Sequence, residues 1–306
     1  MKIIAGPGQG AQAPGFLAPW LELPGVRETL EGYSDIVGID LVAAGTVWDS
    51  ATITDTAVAQ PLLVAAGLIA GTALLSDSDI AEKAPLGFAG HSVGEVTAAA
   101  LAGVFTPEVA LSFVTLRGAA MAQAARDADS GMIAVLSRGD LAAVAADIEA
   151  AGLTPANFNG SGQIVAAGGR AELDAFIANP SAGVKVIPLK VAGAFHSPYM
   201  LAARARLEDA RATFSASTPR YPIYTNRDGS RVTDGTEYLD DLIAQVAHPV
   251  RWDMCQESFL RDGVDALIEL TPAGTLTGLA RKGLPGVPTV ALKTPEDIEA
   301  ARALLQ

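Results

Sequence analysis

Cysteine is almost absent from this chain of 306 residues. Cys255 stands alone, so no intramolecular disulfide can form, and a reducing compartment, the cytoplasm, is the expected location. Histidine is nearly as scarce. His91, His196 and His248 are far apart, and with Cys255 they give no zinc-ligand spacing, so no metal is expected. Basic residues are outnumbered, 21 Lys and Arg against 34 Asp and Glu, and the net charge of -13 argues against nucleic acid as a partner. An acidic protein partner would need a local basic patch. The opening residues 1–5 are too short an apolar stretch for a signal peptide. The longest apolar run, residues 57–75, is interrupted by Gln60, Pro61, Gly67, Gly71 and Thr72, so a buried core helix is expected and membrane association is not. No repeat or low-complexity segment is present.

What is there is the making of a core. Half the residues are hydrophobic and 18% are charged, which suits one large domain, or one with a smaller companion. Residues 3–5 read as a strand, followed by the loop Gly6-Pro7-Gly8-Gln9-Gly10. Residues 57–75 read as a helix, the run Leu86-Gly87-Phe88-Ala89 as a strand, and residues 95–101 as a helix. Thr106 and Pro107 have the chemistry of an N-cap and first helical residue for a helix reaching about residue 126. This alternation predicts an α/β domain with a largely parallel sheet. The middle of the chain differs. Strands at 132–136, 154–158, 163–167 and 185–189, with helices at 140–151 and 172–178, give the order βαββαβ of a ferredoxin-like unit, expected as an inserted small subdomain. After His196 the α/β pattern resumes, with a strand at 266–270.

Gly90-His91-Ser92-Val93-Gly94 is a G-x-S-x-G box between a predicted strand and a predicted helix, the setting of a nucleophile elbow. Such a turn exposes the Ser92 hydroxyl, which makes acyl transfer through a serine ester the first hypothesis. A serine needs a base. His91 adjoins it on a sharp turn and points elsewhere, either under the elbow or to backbone; His248 precedes a proline on an extended connection. His196, in Gly193-Ala194-Phe195-His196-Ser197-Pro198, is the best-placed base by elimination. No acid is singled out by spacing to orient it, and a backbone carbonyl would serve as well. Arg117 falls within the apolar stripe of its helix, so its guanidinium is expected to be buried and to need an anion. That anion is either a structural carboxylate, which periodicity alone favours, or a substrate carboxylate. The Gly6–Gly10 loop lacks a complete phosphate-binding signature. Its other reading is close backbone approach to the site, with Gln9 and the Val93 amide as oxyanion donors.

Several stretches then fall into one pattern: Gly8-Gln9-Gly10-Ala11-Gln12, Thr56 with Gln60-Pro61, Gly90-His91-Ser92-Val93-Gly94-Glu95, Arg117-Gly118, Asn157-Phe158-Asn159, Gly193 to Ser197, Gln245 with Pro249-Val250 and Trp252, and Pro272-Ala273-Gly274. In order and spacing the chain resembles the malonyl-CoA:acyl-carrier-protein transacylases of fatty acid synthesis and, more broadly, the acyltransferase domains of polyketide synthases. Ala11 departs mildly, since many members carry Ser there. The resemblance implies a hydrolase-like larger subdomain with a parallel sheet, residues 1–127 and 196–306, and an inserted ferredoxin-like subdomain, residues 128–195, with the site between them. It implies Ser92 as nucleophile, His196 as base and acid, Gln9 and Val93 as the oxyanion hole, Arg117 on the malonyl carboxylate, and the main-chain carbonyl of Gln245 orienting His196. Malonyl-CoA would be a substrate and no cofactor is implied. Acyl carrier protein would be the partner, docking on basic residues such as Lys185, Lys190, Arg281 and Lys282, and the chain is expected to be monomeric. The triplet Ala194-Phe195-His196 resembles that of malonyl-using members. Service to a polyketide synthase is the alternative. A serine esterase or thioesterase is less favoured: the chain has no H-G-G-G loop, and such an enzyme has no use for Arg117. A non-catalytic docking module is at odds with the complete set of site residues.

Overall fold

The computed structural model describes residues 1–76 and 84–306. Two sheets organise it. The larger has the strand order β11-β10-β1-β2-β7-β8, with β1 (Lys2–Gly6), β2 (Leu86–Gly90), β7 (Ile223–Tyr224), β8 (Arg231–Val232), β10 (Ala266–Glu269) and β11 (Thr289–Ala291). All pairings are parallel except the edge pair β7–β8, which is antiparallel. The central strands β1 and β2 are apolar with hardly a break because helices cover both faces, as parallel sheets require.

The second sheet has the order β6-β3-β5-β4-β9, with β3 (Ser130–Ser137), β4 (Thr154–Gly160), β5 (Gln163–Gly169), β6 (Val184–Pro188) and β9 (Val250–Arg251). With the helices Leu141–Ala150 and Arg170–Ala178, its first four strands follow the βαββαβ order, and their antiparallel arrangement is ferredoxin-like. β9 joins it from much later in the chain, pairing parallel with β4 through Asn157↔Val250 and Phe158↔Arg251. That two-residue strand had no signal of its own in the sequence.

The apolar stretch expected as a core helix spans Thr56–Leu74. Asp55 caps it by accepting from the Ala57 amide, so the helix begins before Pro61, which lies inside it six residues past the cap. By length and composition it could cross a membrane, yet 78% of it is buried inside the protein, against the helix Pro107–Arg126 and the elbow helix Gly94–Leu101. Thr106 caps the helix Pro107–Arg126 with its hydroxyl, as its sequence predicts. The helices between residues 26 and 54, Val26–Val37, Leu41–Thr46 and Ser50–Thr54, were not anticipated. Two are too short to show a helical period, and each of those is started by an aspartate cap, Asp40 or Asp49.

Three glycines let the larger sheet hold the elbow. A Cβ on Gly94 would collide with the Gly6 carbonyl, and one on Gly90 would collide with the Gly94 backbone. The ends of β1 and β2 thus touch the first turn of the elbow helix backbone to backbone. Gly94→Ala is expected to cost about 1–3 kcal/mol of stability through overpacking against immovable main chain. Urea denaturation of the variant against the unmodified protein measures it.

Candidate active site

Ser92 stands past the end of β2, separated from it by His91, in the turn that enters the helix Gly94–Leu101. Its φ is 54°, in the left-handed region that costs a side-chain-bearing residue about 1–3 kcal/mol. The surrounding bonds hold it there. The Ser92 amide donates to Asn226 Oδ1 (2.8 Å), and Asn226 Nδ2 donates to the Gly90 carbonyl (2.8 Å). The side chain is thereby turned out of the strand toward the space between the two sheets.

His196 meets it from the opposite side. It too has a positive φ, 58°, in the loop after β6. Its Nε2 lies 2.7 Å from Ser92 Oγ, and its Nδ1 lies 2.8 Å from the main-chain oxygen of Gln245. The carbonyl can only accept, so Nδ1 carries the proton and Nε2 is the free base facing the hydroxyl. Burial, and then the neighbouring Arg117 charge, depress the His196 pKa from its ordinary 6.5 to about 3. The ring is therefore neutral at physiological pH. The other two histidines are elsewhere. The His91 ring turns to other partners: its Nε2 lies 2.8 Å from Asn159 Oδ1, and it stands edge-on to Trp252. His248 is exposed, with Nδ1 2.7 Å from the Ala244 carbonyl.

Arg117 is fully buried at 0% exposure. Among the described residues no carboxylate lies within ion-pair distance of it, so the structural ion pair that its periodicity favoured is not what it makes. Amide oxygens hold it instead. Nη1 donates to Gln60 Oε1 (2.7 Å), and Nη2 donates to Gln245 Oε1 (2.9 Å) and stands 3.4 Å from Ser92 Oγ. Burial lowers its pKa to about 10, the negative charge of Glu95 opposing, and it stays a cation at neutral pH.

Gln9 and Val93 border the same cleft, a hollow of about 240 Å³ that also takes in Gln60, Met121, Asn157 and Leu189, from both sheet systems. The side chain of Gln9 is engaged, its Nε2 donating to the Thr54 carbonyl (3.1 Å). Its backbone N–H, like that of Val93, donates no hydrogen bond among the described residues. The Gln9 side-chain nitrogen is thus already occupied, while its main-chain N–H has no partner among the described residues.

Sequence reasoning assigned no role to Gln60, Asn226 or Glu95. Glu95 is the telling omission: an acid among Val96, Thr97 and Ala98 on an otherwise apolar helix is a burial signal, and it is 1% exposed. Asn226 sits in a short turn after β7, and nothing in its local sequence points to Ser92. Burial pushes the Glu95 carboxyl pKa well above its ordinary value.

Known proteins resemble this chain along nearly its whole length. A family described as the acyl transferase domain matches residues 7–298. The malonyl CoA-acyl carrier protein transacylase of Mycolicibacterium smegmatis is 44% identical over 289 residues, 93% of this chain and 98% of its own length. The crystal structure of MCAT from Mycobacterium tuberculosis superposes with a TM-score of 0.95 at 42% identity, covering 100% of both chains. A type II PKS acyl-carrier protein in complex with its malonyl-transacylase gives a TM-score of 0.91 at 29% identity over 99% of both chains.

The depressed His196 pKa makes stability depend on pH. Between pH about 6.5 and about 3 the unfolded chain binds a proton that the native ring refuses, so stability present above about 6.5 is lost as the pH falls. His196→Asn is expected to flatten that loss, read as the difference in urea midpoint between variant and parent across this range.

Proposed function

The chain belongs to the acyl transferase domain family, and we propose that it moves a malonyl group from malonyl-CoA to the phosphopantetheine thiol of acyl carrier protein, supplying fatty acid biosynthesis in the cytoplasm. One observation carries the reading. The Ser92 hydroxyl lies between a neutral imidazole at 2.7 Å and a cation at 3.4 Å that has no carboxylate partner among the described residues. A hydrolase of simple esters has no need of that cation. The free carboxylate of a malonyl ester sits three bonds beyond Ser92 Oγ, within reach of a guanidinium placed there.

The exchange runs in two similar halves. Ser92 Oγ attacks the thioester carbonyl as His196 Nε2 takes its proton, and the Gln245 carbonyl steadies the imidazolium through Nδ1–H. The backbone N–H groups of Val93 and Gln9 receive the tetrahedral oxyanion. His196 returns the proton to the departing CoA sulfur, leaving a malonyl ester on Ser92. The carrier thiol then attacks the ester, giving its proton to His196, which passes it to Ser92 Oγ as the serine leaves. Arg117 grips the carboxylate throughout, and its preference for a charged tail over acetyl is the source of selectivity.

The mouth of the cleft suits an acidic carrier. Leu276 and Leu279 of the helix Thr275–Gly283 line one side, and that helix ends in exposed Arg281 and Lys282; Leu189 lines the other, next to exposed Lys190. With Lys185 on β6, these cations supply the local positive field that a net charge of -13 otherwise denies an acidic partner.

Intact mass spectrometry after mixing with malonyl-CoA is expected to find a gain of about 86 Da on Ser92 that disappears on adding carrier protein. Arg117→Ala should cut the malonyl gain by at least about tenfold and raise acetyl relative to malonyl labelling. An unchanged preference, or free malonate as the main product with carrier protein present, would count against the reading. Reversing the charge at Lys185, Lys190, Arg281 and Lys282 together is expected to raise the apparent KM for carrier protein with little change for malonyl-CoA. An unaltered KM would move the docking surface elsewhere.

A further inference from the structure

Glu95 lies directly behind the nucleophile, on the first turn of the elbow helix, and does not line the cleft. Both its oxygens accept. Oε1 takes the Asn226 main-chain N–H (2.7 Å) and stands 3.4 Å from the Tyr238 hydroxyl; Oε2 takes the Nε2 of Gln245 in a close contact. An amide side chain has one donating and one accepting end, and its orientation is set by what each end meets. The nitrogen of Gln245 meets two acceptors, Glu95 Oε2 and Asn226 Oδ1 (3.2 Å), and so its oxygen is turned to Arg117 Nη2 at 2.9 Å.

We propose that Glu95 is a positioning residue for malonyl selectivity: by accepting from Gln245 it fixes the amide orientation that seats the Arg117 guanidinium beside Ser92. Both Glu95 oxygens are taken by N–H donors, from the Asn226 main chain and from Gln245, so the carboxyl sets the polarity of the bonds between itself and the guanidinium. The same carboxylate fixes the Asn226 main chain, whose side chain holds the Ser92 amide.

The substitution Glu95→Gln exposes the device. A glutamine can accept at one oxygen only. The Asn226 N–H is fixed in the backbone and claims it, leaving an NH2 group facing Gln245. The Gln245 amide must then reverse and present its own NH2 to the guanidinium, which loses an acceptor and is pushed from its seat. The reaction with acetyl-CoA, which has no carboxylate for Arg117, should suffer much less.

This inference rests on the malonyl transfer reading, and the test separates the two. Rates of Ser92 acylation by malonyl-CoA and acetyl-CoA are measured by intact mass. A parent protein with no malonyl preference overturns the transfer reading itself. Given that preference, Glu95→Gln is expected to lower the malonyl-to-acetyl ratio at least about tenfold. Glu95→Asp, which keeps the carboxyl group but draws it back from Gln245, should lower the ratio less and serves alone if the glutamine variant does not fold. Gln245→Met keeps the main-chain carbonyl and removes the amide; in that background Glu95→Gln should change the ratio by no more than about twofold, because the relay is already cut. The proposal is overturned if Glu95→Gln, or Glu95→Asp in its place, slows both substrates equally while lowering the melting temperature, or if the glutamine effect persists undiminished in the Gln245→Met background.

Discussion

A guanidinium held away from water, with no carboxylate partner among the described residues, is the constraint around which this molecule is arranged. Burying an unpaired cation is costly, and an ion pair would offset that cost but also cancel the charge. Here the positive end of Arg117 is met by two neutral amide oxygens, from Gln60 and Gln245, so the cation is solvated but not neutralised. Its field also helps keep His196 unprotonated, with burial as the larger cause. One buried charge thereby marks the place for an anionic acyl tail and keeps the base ready.

The scaffold answers this demand with rigidity. The close approach of Gly6, Gly90 and Gly94 fixes where the elbow leaves the larger sheet. Both Ser92 and His196 occupy left-handed backbone conformations, and each is pinned by a bond to a distant segment, Ser92 to Asn226 and His196 to Gln245. Strain at both partners persists because surrounding bonds over-determine it. The second sheet closes the cleft from the other side. His91 and Asn159 bridge the elbow to β4, while β9 stitches the later chain to the same sheet.

Much of this was legible. Strand, sharp turn and helix around Ser92 follow from local composition, and the βαββαβ order follows from periodicity. Selection of His196 over His91 and His248 followed from scarcity and turn geometry. The partner of His91 was not anticipated, because Asn159 lies 68 residues away and no local pattern links them. The choice between a structural and an open Arg117 was equally out of reach, since periodicity reports that a side chain is buried and not what it meets. The helices Leu41–Thr46 and Ser50–Thr54 span less than two turns each, too little for a repeat to be seen.

The sequence by itself determined the elements and the chemical inventory: a serine in an elbow, few histidines to serve it, one arginine on an apolar face, and an inserted antiparallel unit. These are local properties, dictated by steric freedom at glycine and by the periods of helix and strand. Only the tertiary structure decided the polarity of the site. Which amide end faces Arg117 and which nitrogen of His196 carries the proton both depend on contacts between residues 49 to 150 positions apart. Hydrogen bonds have direction, and direction is settled only when the remote partner is in place.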